Sequence, residues 1–320
     1  MCELTATSLQ LQNDFMNRRQ FIQSSIALSS AAVLGAEPEK KETALTLGFS
    51  LYGMKPLKTG DALLRLSSIG YDSVEFCLND GWDATPKNLT PKRRRALRIL
   101  LDHFELKLTA LMLNLSLAGD QKRNREKLKE AAEVGRDLSP EAQPLIETVM
   151  GGGKWADVKN KYRDSLGEWA ETAKAAKTLV CVKPHRSGAV NRPVDAVWLV
   201  EQIKSPWIQL AYDYSHFAHR DMKLEDTLKT MIPHTRFIHV KDTIIKDGKP
   251  RFVLPGESGL IDYQKLIWRT HELGYHGDIN VEVSGQVWNQ PGYDPIAAAL
   301  ESYRNIAPAF EQKIKKGPSN

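Results

Sequence analysis

Four apolar runs in the second half of the chain each end on a side chain that can bind a metal, move a proton or carry charge. They are Val180 to His185, with Lys183 and His185; Ile208 to Asp213; Phe237 to Asp242, with His239 and Lys241; and Ile279 to Glu282. Asp213, His239 and Glu282 form a donor set suited to a divalent ion, Mn²⁺, Co²⁺, Mg²⁺ or Zn²⁺, with positions left open for water or substrate. The first run offers Lys183 instead of a ligand, and an ammonium close to a dication repels it strongly. Three arrangements are open. Lys183 turns aside and a three-ligand metal remains; His216 or His185 completes the sphere; or the ammonium takes the metal's place against Asp213 and Glu282.

Other residues extend the chemistry. Lys183 could polarise a carbonyl, act as a desolvated base, form a Schiff base, or simply pair with Glu282 or Asp213. His185 shares the parity of Lys183, and His216 lies in the loop after Asp213. Either could carry protons near neutral pH, or bond to backbone. Lys241 has the parity of His239, which aims it at substrate hydroxyls or at Asp242. Glu75 alternates with Cys77 and could meet substrate hydroxyls or a neighbour inside the fold. Tyr52, Trp82 and Trp288 would offer flat apolar faces to the C–H side of a sugar ring. Trp155, after three glycines, suits a cap on the fold's wall.

These residues need a scaffold that brings strand ends together. From Leu45 onward strand-like runs alternate with amphipathic helices in eight units. The strands are expected at Leu45 to Leu51, Ser73 to Leu78, Leu106 to Leu113, Leu145 to Met150, Leu179 to Pro184, Ile208 to Asp213, Phe237 to Lys241 and Ile279 to Val283. Between them, stripes such as Val158, Tyr162, Leu166, Trp169 and Ala173 mark helices packed on one side. Eight repeats imply a single-domain α/β fold, a closed (β/α)8 TIM barrel, with its chemistry at the carboxyl ends of the strands. An open doubly wound sheet is disfavoured, because the turn after the first strand, Gly48-Phe49-Ser50-Leu51-Tyr52-Gly53, lacks the dinucleotide-binding glycine pattern.

Composition narrows the class. The chain has 320 residues, 42% of them hydrophobic, enough for one large core. Cys2, Cys77 and Cys181 have no paired spacing, which excludes a disulfide framework or zinc ribbon. A formal charge of +5 is mild, and the basic cluster Lys92 to Arg95 with Arg98 shares a helical segment with Leu97, Leu100 and Leu101, so it reads as a solvated face rather than a nucleic-acid patch. Residues 1–36 read as an export signal: Arg18-Arg19 precede an apolar run from Ile26 to Leu34 that is too short to span a bilayer. A true start at Met16 would suit it. The expected organisation is therefore a signal over 1–36, a linker over 37–44, the barrel over 45–312 and a tail over 313–320, in a periplasmic protein with no stable membrane anchor.

The segments Ala211 to His216, Ile238 to Asp242, Pro255 to Tyr263 and Gly274 to Glu282 together resemble the xylose-isomerase-like barrel superfamily, which includes sugar isomerases, ketose epimerases, inosose dehydratases and endonuclease IV-type repair enzymes. The arginine pair with its apolar run likewise resembles a twin-arginine export signal. The first resemblance covers Leu45 to Phe310 and implies a metal set of Glu, Asp, His and Glu, of which Asp213, His239 and Glu282 match and the first Glu does not. It implies that Lys183 contacts a substrate carbonyl, that Glu282 is ligand and base with His216 or His185 as the alternative base, and that the reaction is proton abstraction next to a carbonyl of a keto-sugar or glycoside. A carbohydrate-binding pseudoenzyme is the rival reading. A nuclease is disfavoured by Leu113-Asn114-Leu115 and Pro255-Gly256-Glu257, where extra metal ligands would be needed.

Overall fold

The computed structural model describes residues 45–311 apart from Ala118. The twin-arginine segment, Cys2 and the carboxyl tail lie outside the described residues. The strands are β1 (Thr46–Ser50), β2 (Ser73–Cys77), β3 (Lys107–Met112), β4 (Leu145–Val149), β5 (Leu179–Lys183), β6 (Ile208–Tyr212), β7 (Thr235–Val240), β8 (Asp242–Lys246), β9 (Lys249–Val253) and β10 (Asp278–Val281). All but β8 and β9 close into a parallel barrel in chain order, sealed where β1 pairs with β10 from Thr46↔Asp278 to Phe49↔Val281. The eight expected strands are present, each within a few residues of its expected limits.

Helices α1 (Thr59–Ile69), α2 (Pro91–His103), α3 (Gln121–Leu138), α4 (Trp155–Ala175), α5 (Pro193–Ile203), α6 (Leu224–Met231), α7 (Tyr263–Glu272) and α9 (Pro295–Glu311) cover the outside, with a single turn, α8 (Gly285–Trp288), after β10. Local chemistry sets their starts. Thr90 accepts from the Arg93 N–H with Pro91 at the first helical position, and Asp120 accepts from Lys122 and Arg123 at the start of α3. On α2 the apolar face buries Leu97 and Leu101, while Arg93 and Arg94 pair with Asp83 and Asp137. The basic cluster is thus a charged outer helix face.

Inside the barrel, inward-facing side chains stack in layers. One layer is apolar and small apart from one ring: Ala110, Cys181, Ala211 and Phe237. Cys77 and Cys181 are both free and buried. In the same interior a Cβ on Gly48 would collide with the side chains of Asn280 and Ser73, so β1 reaches its neighbours only because this position has no side chain. Toward the carboxyl ends of the strands the filling turns ionic, and Glu75, Glu147, Lys183, Asp213, His239 and Lys241 are each at most 2% exposed.

The hairpin β8–β9 is an addition to the eight-unit pattern. It leaves β7 directly through Lys241 and turns at Asp247-Gly248, both with positive φ (52° and 68°). A two-residue Asp-Gly loop of this kind matches the twist of antiparallel strands.

Candidate active site

Four strand ends and one earlier strand converge on two lysines. The Lys183 Nζ, at the end of β5, lies 2.8 Å from His239 Nδ1, 2.8 Å from Glu282 Oε2 and 3.3 Å from Glu147 Oε1. The last of these is an ion-pair contact rather than an aligned hydrogen bond, because neither Glu147 oxygen has a hydrogen-bond partner. The Lys241 Nζ, just beyond β7, donates to Asp213 Oδ2 and, at 2.7 Å, to Glu282 Oε2. Glu282 Oε2 therefore accepts from both ammoniums. Among the described residues every hydrogen bond to this carboxylate falls on Oε2, and the side chain keeps 10% exposure, which leaves Oε1 as the oxygen free to act.

Electrostatics fix the protonation states. Burial alone would lower the Lys183 amine, but Glu147, Glu282 and Asp213 outweigh it and hold it above its ordinary range, so it is an ammonium. Burial would likewise raise the Glu282 carboxyl, yet Lys183, Lys241 and His239 hold it well below the usual carboxylate range. Glu75 moves the other way: burial, then the charge of Glu147, raises its carboxyl well above the ordinary value, and burial raises that of Glu147.

The imidazoles are neutral, and their partners assign the tautomers. Burial, then Lys183, pushes His239 well down. Its Nδ1 accepts from Lys183, so Nε2 carries the hydrogen and donates to Glu75 Oε2 at 2.8 Å. His216 is pushed down by burial and by Lys241. Its Nδ1 accepts from the Arg186 backbone N–H at 3.3 Å, so Nε2–H faces Asp213 Oδ2 at 3.5 Å. The 3.4 Å approach of Lys241 Nζ to that nitrogen is then a contact between two donors, which leaves Lys241 one N–H without an acceptor among the described residues. His185, lowered to about 4 by burial and then by Lys241 and Lys183, accepts from the Ser187 N–H on Nδ1 at 3.3 Å and so presents an Nε2–H. Its ring packs 4.3 Å from that of His216.

This donor set does not fit a divalent cation. Asp213 Oδ2, Glu282 Oε2 and His239 Nδ1 are the atoms such an ion would use, and each already accepts from Lys183 or Lys241. A dication 4 Å from one ammonium is repelled by about 8 kcal/mol at an effective dielectric constant of 20, and this site holds two. Among the described residues no three His, Cys, Asp or Glu side chains are arranged to hold a metal.

The mouth has two sides. On one, Tyr52 stacks on Trp82 (centroids 5.1 Å apart) and meets Trp288 edge-on (5.5 Å), with the Lys55 ammonium 4.4 Å from the Trp82 ring and 4.9 Å from Trp288. Burial and the charge of Glu282 push the Tyr52 phenol up to about 12, so it stays a hydroxyl. On the other side the hairpin lays Phe252 against His216 (5.2 Å), Lys241 (5.0 Å) and Arg186 (3.7 Å). Trp155 packs on Trp198 at the outer wall, away from this cluster.

Lys183, Asp213, His239, Lys241, Glu282, His185 and His216 thus come together as one network. Glu75 belongs to it from behind: it is fully buried on His239, not presented to the mouth. Lys241 pairs with Asp213 and Glu282, whereas Asp242 accepts from the Ser258 N–H. Sequence reasoning passed over Glu147, whose signal was an acid inside the apolar run Leu145 to Val149. It also passed over Arg186, Phe252 and Gln286, which lie in loops and a hairpin with no periodic pattern.

No curated protein sequence is significantly similar to the chain. Among solved structures it is similar to a protein named IOLI with a bound zinc atom (TM-score 0.67, 18% identity, covering 84% of this chain and 100% of that one). It is similar to the 3-keto-D-glucoside 4-epimerase YcjR from E. coli (TM-score 0.65, 14% identity, covering 82% and 99%). A third is the probable 3-DHS dehydratase of petrobactin synthesis from Bacillus anthracis (TM-score 0.65, 15% identity, covering 82% and 99%). At these identities the likeness is one of fold. The model of the xylose isomerase-like TIM barrel family matches residues 63–306, all of the barrel but β1 and every residue of the ionic network, and the chain belongs to that family.

Proposed function

We propose that the protein is a sugar-modifying enzyme that abstracts a proton next to a carbonyl, with lysine ammoniums in the cationic role. The observation that carries this reading is Glu282, held by both ammoniums on Oε2 and free on Oε1 at the mouth of the barrel. The substrate carbonyl oxygen would accept the remaining N–H of Lys241, assisted by the His185 Nε2–H. Glu282 Oε1 removes the adjacent C–H proton, the C–H electron pair becomes the enolate π bond, and the negative charge gathers on the oxygen beside Lys241. Protonation of the same carbon from the opposite face by water gives the epimer; return of the proton to the former carbonyl carbon, with the hydroxyl proton passing between the two enediol oxygens, gives the isomer; and loss of a β-hydroxyl, which leaves as water with the proton held on Glu282, gives the dehydrated product. The epimerase and the probable dehydratase that share this fold support this class of reaction.

The low affinity of Glu282 for protons makes it a weak base in the resting site. The ammonium that weakens it also stabilises the enolate, so the two effects act on the same proton transfer in opposite directions. In this arrangement Lys183 is a positioning residue: its hydrogen bonds are taken by His239 and Glu282, and it acts on substrate through Glu282. The tautomers of His185 and His216 make both donors, which favours Glu282 as the base.

The test is exchange of the substrate's carbon-bound proton with solvent deuterium, followed by NMR across keto-sugars and 3-keto-glycosides. Exchange that survives dialysis against EDTA and falls about 10²–10⁴-fold in Glu282→Gln is expected. Exchange that vanishes with EDTA and returns with Mn²⁺ would overturn the lysine arrangement. Sugar binding without any exchange would favour the carbohydrate-binding pseudoenzyme, a reading supported by the ties of Lys183 to His239, Glu282 and Glu147. Export by the twin-arginine route belongs to the same proposal, since it places the enzyme among sugars broken down outside the cytoplasm. Loss of the periplasmic form in an Arg18→Lys, Arg19→Lys double variant is the expected result.

A further inference from the structure

Arg186 is a cation without a counter-ion at the mouth of the barrel. Among the described residues no carboxylate forms an ion pair with it, and its Nη1 is buried with no hydrogen-bond partner. An unpaired buried guanidinium N–H is costly unless a ligand meets it. The group is nevertheless held in place. Its central carbon lies over the Phe252 ring, 3.7 Å from the centroid, and its Nη2 donates to Gln286 Oε1 at 3.2 Å. Gln286 is itself fixed by the Phe252 N–H at 2.9 Å, and the Arg186 backbone N–H is tied to His216. Three separate elements, the loop after β5, the hairpin and the turn α8, therefore aim one guanidinium beside the catalytic lysine, which touches the same aromatic ring at 5.0 Å.

We propose that Arg186 binds an anionic group of the substrate, and that the substrate is a carboxylate-bearing keto-sugar. This deepens the proton-abstraction reading and rests on it only for the keto group. A carboxylate matches the charge and the planar fork of this guanidinium. A phosphate dianion would bring a second negative charge toward Asp213 and Glu282. The neighbouring His216 and His185 are neutral, so on the hairpin side of the mouth Arg186 favours an anionic ligand. Arg251, exposed on β9, adds positive potential at the same edge.

The full-length protein would be titrated calorimetrically at pH 7 with D-galacturonate, D-galactose and D-galactose 6-phosphate, as wild type, Arg186→Gln and Arg186→Lys. Wild type should bind galacturonate at least tenfold more tightly than galactose. Arg186→Gln should abolish that preference while leaving galactose affinity within about twofold, and Arg186→Lys should restore part of it. Equal affinity for galacturonate and galactose, no measurable galacturonate binding, or a preference that survives in Arg186→Gln would each overturn the proposal. Tightest binding of the phosphate would overturn the carboxylate assignment in favour of a phosphorylated sugar. Deuterium exchange run alongside separates this idea from the reading beneath it. Acid preference without exchange leaves the anion subsite standing and removes the enolisation, whereas exchange without acid preference does the reverse.

Discussion

At the scale of the residue, Lys183 and Lys241 differ in what their hydrogens can do. Both are ammoniums inside a barrel, but Lys183 is ringed by His239, Glu282 and Glu147, while Lys241 keeps one N–H for a ligand. Substitution should separate their roles. Lys241→Met is expected to lower turnover about 10²–10³-fold, the typical cost of removing one oxyanion-stabilising donor, with kcat more affected than KM. Lys183→Met leaves Glu147 and Glu282 without their shared cation, and removing one partner of a buried pair costs about 3–5 kcal/mol. Its main signature should be a lower midpoint in urea unfolding. A Lys183→Met protein as stable as wild type would mean that the two carboxyls take up protons on folding and need no cation.

At the scale of the element, the barrel strands place chemistry by alternation, and small residues let them do so. Gly48 permits β1 to sit against Ser73 and Asn280, whose amide donates to Thr109 at 2.9 Å. Gly48→Ala should therefore destabilise by about 1–3 kcal/mol through overpacking, measured by chemical denaturation. The hairpin contributes differently. Phe252 supplies the surface on which Arg186, Lys241 and His216 meet, so Phe252→Ala should lower turnover by releasing Arg186 and opening the site to water, with a smaller loss of stability than a barrel-core truncation. A melting temperature that falls as far as turnover does would make Phe252 a packing residue alone.

At the scale of the whole molecule, the buried imidazoles tie stability to pH. His185 is lowered to about 4 from an ordinary value near 6.5, so the unfolded chain takes up that proton first as pH falls. The stability it contributes is complete above pH 6.5 and is lost down to about pH 4, with a slope of about 1.4 kcal/mol per pH unit. Glu75 and Glu147, whose carboxyls are raised, act in the opposite sense, since the folded protein holds their protons more tightly. The difference between wild type and His185→Gln isolates the imidazole. Between pH 7 and pH 5 the wild type should lose more stability than the variant, and parallel pH profiles would show that His185 titrates as it does in the unfolded chain.

The sequence by itself determined the repeat and the parity. Apolar runs alternating with striped helices dictate eight strands wrapped by helices, because each run can be buried only between helix and barrel interior. The period of two along each strand then aims Asp213, Lys183, His239 and Glu282 to one end of one interior. It also put Trp82, Trp288 and Tyr52 at the mouth, where they form a single aromatic corner. The hairpin that turns at Asp247-Gly248 was not anticipated, because an eight-unit count has no place for it. What the tertiary structure alone decided was which lone pair each ammonium takes, since that depends on distances between strands far apart in the chain. Lys183 and Glu147 are 3.3 Å apart across β4 and β5, and Lys241 reaches Glu282 from the neighbouring strand. Spacing along a sequence says where a side chain points, whereas whether a site holds a metal or an ammonium is settled by Coulomb energies that change by several kcal/mol over an ångström or two.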